Sequence, residues 1–351
     1  MAASKPPSPA ISPPSLSFPR ATFAKLSPHP FLLAHLQPPT PPSANTTPPH
    51  RPNGRLPTQF RPPNLHTGSL THASGSSVVR LGDTAVVCGI RAEILPASNV
   101  GCAYTCGGSD DDTEIQALGL LVPNVELSTG CSPAHLPGQP PSPLAQTLAA
   151  RLQSLLYATN LIGADELRIM YVSPPADDAG EGGGAEEVKA WWTLYIDILF
   201  ISLDGNPFDA AWASLLLALK DTRLPLAYWD PDLACVLCDD LVANAKRLRM
   251  RRWPVASTFA VYSAQERGSV GGDGAGKWIL ADPDAFEEGL CRESVTVVVD
   301  CEEAEGGGVK TRIVRLEKRG GGSAGKAEIK EVVEMATERW RVWRDVLKGN
   351  A

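Results

Sequence analysis

Eighteen of the chain's 32 prolines lie between Pro6 and Pro63. Proline fixes φ and has no backbone N–H, so neither a long helix nor a central strand can run through such a stretch. The start of the chain is therefore expected to lack a packed core of its own. Residues 1–20, rich in Pro, Ser and Ala, read as a disordered tail. Residues 21–66 read as an extended N-terminal arm. Phe31, Leu32, Leu33 and Leu36 give it an apolar side, and a short helix is expected over Pro30–Leu36 because proline suits a first turn. This acid-free segment has the charge of a mitochondrial leader, but its prolines break the amphipathic helix such a leader needs. The longest apolar run, Trp191–Leu203, contains Asp197 and is too short to span a bilayer, so a soluble intracellular chain with no membrane partner is expected.

Charge is divided unevenly. The first 82 residues hold seven Lys or Arg and no acid, while the remainder carries a net −14, giving −7 in total. An acidic body with a basic arm does not coat nucleic acid by charge alone, so any RNA contact has to be local.

The folded body begins near Thr67, with a first part over residues 67–222 and a C-terminal part over residues 223–351. Ser77–Leu81 and Thr84–Leu95, joined by Gly82-Asp83, predict a hairpin. Strands are also predicted at Leu120–Leu127, Leu167–Val172, Ala190–Leu203, Pro254–Tyr262, Lys277–Leu280, Ser294–Asp300 and Val309–Leu316. Positions 144, 148, 152, 155 and 156 share one helical face. A second helix is announced by Asn206 as cap, Pro207 at its first position and Asp209 near its positive end. Ile329, Val332, Val333, Ala336, Trp340 and Trp343 form the stripe of a closing helix over Glu328–Lys348. This order predicts a layered α/β (α+β) fold.

The chemistry-bearing motifs are incomplete. Five of six histidines lie in or beside the arm, and His135 sits in a Pro/Gly loop, so no Ser-His-Asp or Cys-His system is visible. Cys235-x-x-Cys238 has the spacing of half a zinc site, but its nearest companions, Cys102 and Cys106, are distant. Two small residues on one element is the preferred reading, with no metal and no cofactor. Gly271-x4-Gly276-Lys277 imitates a phosphate loop, yet Trp278 replaces the magnesium-binding hydroxyl and a strand follows, which favours a hairpin loop. Asp110-Asp111-Asp112 reads as a solvated loop. Lys246, Arg247, Arg249, Arg251 and Arg252 form the strongest basic cluster. Three readings stand side by side: contact with RNA phosphates, a nuclear signal, or pairing with acidic neighbours such as Asp239 and Asp240.

Several stretches in order resemble the RNase PH family. Arg51-Pro52-Asn53-Gly54-Arg55 is similar to its Arg-Pro-Asp-Gly-Arg motif, with Asn for Asp, and residues 75–86 to its first hairpin. Asp204 to Ala211 lies where the family turns from a central strand into a helix. Ala281-Asp282-Pro283 with Glu287-Glu288, and Gly320-Gly321-Gly322-Ser323, also fit. Within the family, Ala21–Phe31 and Leu121–Leu127 look most like a noncatalytic ring subunit of the eukaryotic RNA exosome. The resemblance implies an RNase PH-like fold with two βαβ-type halves. It also implies an obligate ring with other RNase PH-like subunits, OB-fold and KH-domain caps, RNA threaded to a separate nuclease, and residence in nucleus, nucleolus and cytoplasm.

Departures from the pattern bear on activity. Phosphorolytic members carry a Gly-Thr-Arg type turn that holds the attacking phosphate, and here Asn206-Pro207-Phe208 replaces it. Leu199 stands between Asp197 and Asp204 where a second acid is expected, and of the nearby arginines only Arg151 remains. The expectation is a chain that is no enzyme, with a degenerate site at Asn206, Pro207 and Phe208. The alternative is an active phosphorolytic 3′-to-5′ exoribonuclease.

Overall fold

The computed structural model describes residues 19–37, 49–100, 111–136, 138–173, 186–264, 276–303, 309–321 and 324–349. The chain divides between Pro57 and Thr58 into two units. The tail over residues 1–18, Cys102, Cys106, Asp110 and the loop over residues 271–275 lie outside the described residues.

The first unit is not simply extended. It holds two short helices, α1 (Arg20–Leu26) and α2 (Pro28–Leu36), with Ser27 between them and Pro28 at the first position of α2. Phe23 and Phe31 meet edge to face at 5.9 Å. Arg20 donates to the Pro52 carbonyl at 2.9 Å. The Arg51–Arg55 segment closes a tight turn, with Arg51 N–H on the Arg55 carbonyl at 2.8 Å and Gly54 at φ +85.

In the second unit the body starts before Thr67, because β1 (Pro63–Thr67) already pairs with β2 (Gly75–Leu81). Strand β2 turns through Gly82 into β3 (Thr84–Pro96). Then come α3 (Asp111–Leu118), β4 (Leu121–Leu127), α4 (Pro143–Thr159), β5 (Arg168–Val172) and β6 (Glu186–Ser202). The first sheet runs β1-β2-β3-β6-β4, with β5 also on β6, and β4 is parallel to β6 across the α4 crossover. Asp111 thus opens a helix and is not part of the expected loop.

Helix α5 (Pro207–Asp221) follows, then β7 (Arg223–Leu224), β8 (Ala227–Asp230), β9 (Cys235–Cys238) and β10 (Lys246–Arg247). Ribbons β7–β10 and β8–β9 precede the second sheet. That sheet contains β11 (Val255–Ser263), β12 (Lys277–Ala281), β13 (Glu293–Glu303) and β14 (Val309–Arg319), in the order β12-β11-β13-β14, antiparallel throughout. Helix α6 (Ala285–Leu290) carries the chain from β12 to β13. Both strands flank β11, giving a split version of the first half's strand–helix–strand unit.

Helix α5 is buried along almost its whole length, from Phe208 to Leu219. It packs on β2 and β3 of the first sheet and on β11 of the second. Helix α7 (Lys326–Gly349) lays Val332, Ala336, Trp340 and Trp343 on β11 and β13. On α4 the inward stripe is Leu148, Leu152, Leu155 and Leu156, while Leu144 is exposed.

Candidate functional site

The start of α5 is shaped by two left-handed residues in succession. Gly205 has φ +71, and a Cβ there would lie 2.4 Å from the carbonyl carbon of Asp284, so only glycine fits. Asn206 follows at φ 50 and makes no side-chain cap. In place of the expected cap, the Asn206 side chain bonds to two carboxylates. Its Nδ2 donates to Asp209 Oδ2 at 2.9 Å and to Asp282 Oδ1 at 2.7 Å. Its Oδ1 is buried without a partner among the described residues.

Those bonds belong to a buried ionic network. Arg61 donates from Nε to Asp282 Oδ2 and from Nη2 to Asp282 Oδ1, both at 2.8 Å, and from Nη1 to the Asp204 carbonyl at 2.8 Å. Burial disfavours the Asp282 carboxylate. The Arg61 hydrogen bonds, the Arg339 charge and the Asn206 amide outweigh it and hold Asp282 well below the usual carboxylate range. Asp209 accepts from the Thr258 N–H at 2.9 Å, from the Thr258 hydroxyl at 2.7 Å and from Arg339 of α7. The network ties the end of β6, the start of α5, β11, the end of β12 and α7.

Above it lies a cleft of about 270 Å³, lined by Arg151, Asn206, Pro207, Phe208, Glu288 and Arg319 among others. Two acids engage donors that line it. The carboxyl of Glu288 accepts the Asn206 N–H at 2.8 Å, at the positive end of α5. Glu288 is exposed as a residue, while its carboxyl is desolvated beside the cleft. That desolvation, with Asp209 and Asp282 nearby, pushes it up to about 7. Arg151 is held by Glu317, with Nε to Oε2 at 2.9 Å, and its guanidinium lies 3.8 Å from the centre of the Phe208 ring. Against the cost of burial, Arg151, Arg315 and Arg319 together keep Glu317 below its ordinary range.

Asp197 and Asp204 bond to different partners. Asp197 accepts from Asn124 at 3.2 Å, Leu199 faces out beside it, and Asp204 takes the N–H of Ala285.

The basic cluster lies elsewhere, and two of its members are paired with acids. Lys246 meets Glu166 at 3.1 Å and Arg251 meets Asp165 at 3.0 Å. Asp239 accepts from Asn244 at 2.6 Å and from the Leu241 N–H at 2.9 Å. Arg252 faces the charge of Asp300. Arg247 donates to the Lys220 carbonyl at 3.1 Å, and Arg249 is exposed. Cys235 and Cys238 share β9, and no cluster of three metal-ligating side chains exists among the described residues.

A model of the 3′ exoribonuclease family, domain 1, the RNase PH domain, matches residues 59–225. The exosome complex component rrp43 of Schizosaccharomyces pombe is 32% identical over 327 residues, covering 93% of this chain and 97% of its own length. The chain belongs to the RNase PH family. Its similarity extends to the exosome complex component Rrp42 of Methanothermobacter thermautotrophicus, 26% identical over 290 residues, or 82% of this chain and 85% of the relative. A chain of the Archaeoglobus fulgidus exosome with RNA bound to the active site superposes with a TM-score of 0.60 at 21% identity, covering 91% of this chain and 97% of that one. A chain of an archaeal exosome core gives 0.55 at 19%. At these identities the structural likeness is one of fold, and it agrees with the RNase PH-like architecture anticipated from the sequence. Arg61, Glu288, Glu317 and Arg339 are the site residues that the sequence left unremarked or without a role.

Proposed function

We propose that this chain is a noncatalytic, structural subunit of an exosome ring. It pairs with other RNase PH-like subunits, carries OB-fold and KH-domain caps, and supports 3′-to-5′ RNA processing and degradation by partner nucleases. Its surface contributes to the RNA channel, and its places are the nucleus, nucleolus and cytoplasm.

Two lines support the reading. The relatives are exosome components. The observation that carries the noncatalytic part is the pairing of Arg151 with Glu317 against the Phe208 ring. Phosphorolysis depends on cations and N–H donors held ready for an incoming phosphate. Here, of the arginines lining the cleft, Arg151 is bound by Glu317 and Arg319 faces the same carboxylate at 3.9 Å, Pro207 offers no N–H, and the Asn206 N–H is taken by Glu288. An active phosphorolytic exoribonuclease would need all three undone.

The test has two readouts. A tagged chain is purified from native extract and its companions identified by mass spectrometry. The purified chain is then given RNA with and without inorganic phosphate. Near-equal amounts of ring and cap subunits, and no phosphate-dependent release of nucleoside diphosphates, are expected. A chain that emerges alone and releases diphosphates overturns the proposal.

A further inference from the structure

Helix α5 has 15 residues, about 22 Å at 1.5 Å per residue, so its far end is remote from the cleft. There the ribbon of β7 and β10 places Arg223 directly opposite Arg247. Like charges facing each other across a ribbon destabilise it. Neither arginine has a carboxylate partner among the described residues. Lys220, one turn before Arg223, adds a third cation. Burial and the charge of Arg247 both lower its pKa. Leu248 is buried and donates to the Thr222 carbonyl at 3.0 Å, so Arg247 and Arg249 flank it facing solvent. A pocket of about 240 Å³ opens beside Lys220 and Arg247, with His66 and Thr67 on its rim. The carboxylate in that lining, Asp221, accepts the Ser76 N–H at 3.1 Å.

A lone anion would need one focus. This arrangement is a row: Lys220, Arg223, Arg247 and Arg249, the last two about 6.6 Å apart along extended backbone. It sits on a body whose net charge is otherwise strongly negative. We propose that this row binds the phosphodiester backbone of single-stranded RNA, as a contact surface separate from the cleft at the start of α5. The unit is drawn from three elements and is not the continuous run 246–252, because Lys246 and Arg251 are committed to Glu166 and Asp165. A backbone row reads charge and spacing, so it should be indifferent to base sequence. The inference rests on the reading of the chain as part of an RNA-handling ring.

The test compares R223Q/R247Q/R249Q with wild type and with R251Q. The full chain, alone and assembled with its ring partners, is titrated with a fluorescent oligouridylate of about 20 nucleotides between about 50 and 200 mM salt. Loss of three phosphate contacts should lower the slope of log affinity against log salt by about 2 and weaken binding about tenfold or more near 0.15 M. R251Q should bind like wild type. Circular dichroism and melting should show the triple variant folded, with a midpoint equal to or above wild type once the facing charges are gone. Unchanged affinity and slope would overturn the proposal, as would absence of binding by the wild-type chain. A folded triple variant that no longer joins the ring would also overturn it, identifying the row as a subunit contact. If wild type fails to join the ring yet its RNA binding depends on the row, the ring reading fails and the RNA surface stands.

Discussion

Replacing Arg61 with methionine keeps most of the side-chain volume and removes a charge that Asp282 needs. Asp282 is fully buried and Arg61 is 7% exposed, so neither can recover its loss from water. Removing one member of a buried pair costs about 3–5 kcal/mol, mostly through the charge left behind. Asp282 would retain the 2.7 Å bond from Asn206 and the field of Arg339, which places the expected loss near the lower end, about 3 kcal/mol. At about 2–4 °C per kcal/mol for a body of this size, the melting midpoint should fall about 6–12 °C. D282N should cost a similar amount, and asparagine tolerates the positive φ of 52 at that site. The double variant should be more stable than the two losses summed by about 2 kcal/mol, because it leaves no orphaned charge. Urea unfolding of all four proteins measures this. The folded-state pKa of Asp282 lies below its unfolded value of 3.8. Its stabilisation is therefore present above that value and lost as pH falls through the folded pKa, so wild type should weaken below about pH 4 and the double variant less. Additive losses, or a cost for R61M under about 1 kcal/mol, would refute the idea that this pair joins the two sheets.

Other outcomes follow from the same geometry. Glu288 is raised from 4.5 to about 7, so its stabilisation is full below the unfolded value and lost as pH rises through 7. E288Q should flatten that decline, by about 1 kcal/mol or less because the residue is exposed, in melts at pH 5 and 7.5. G205A forces a left-handed alanine against Asp284 and should cost at least about 2 kcal/mol, read by urea unfolding. W212A removes a buried indole whose Nε1 donates to the Pro254 carbonyl at 2.8 Å, and should cost about 3–5 kcal/mol. P207T/F208R should show no phosphate-dependent diphosphate release, since Glu317 still holds Arg151 and Glu288 the Asn206 N–H.

Much of the scaffold was written locally. The stripes of α4 and α7, the apolar run of β6 and the Pro207–Asp209 opening of α5 are short-range patterns that match the period of their elements. What escaped did so for physical reasons. Strand β1 begins at Pro63, and proline hides a strand unless it is known to be an edge, which β1 is. Asp111 and Asp112 resemble a loop by composition until the helix that begins at Asp111 is seen. Arg61 and Asp282 are 221 positions apart, and Arg151 and Glu317 are 166, so no periodicity reports either pair. The row proposed above likewise joins Lys220 and Arg223 to Arg247 from a different part of the chain, so no continuous run announces it.

Helix α5 has no outside. With one face against the first sheet and another against β11, it belongs to both cores at once. A protein cut after residue 221 would not yield two smaller folded pieces. The upstream fragment would present a greasy rod to water, and the downstream sheet would lose the surface it closes on. Unfolding should accordingly be a single event across residues 58–349, and damage to either sheet should be felt by the whole body. Shuffling halves between related chains would be expected to fail unless this helix and both its beds travel together.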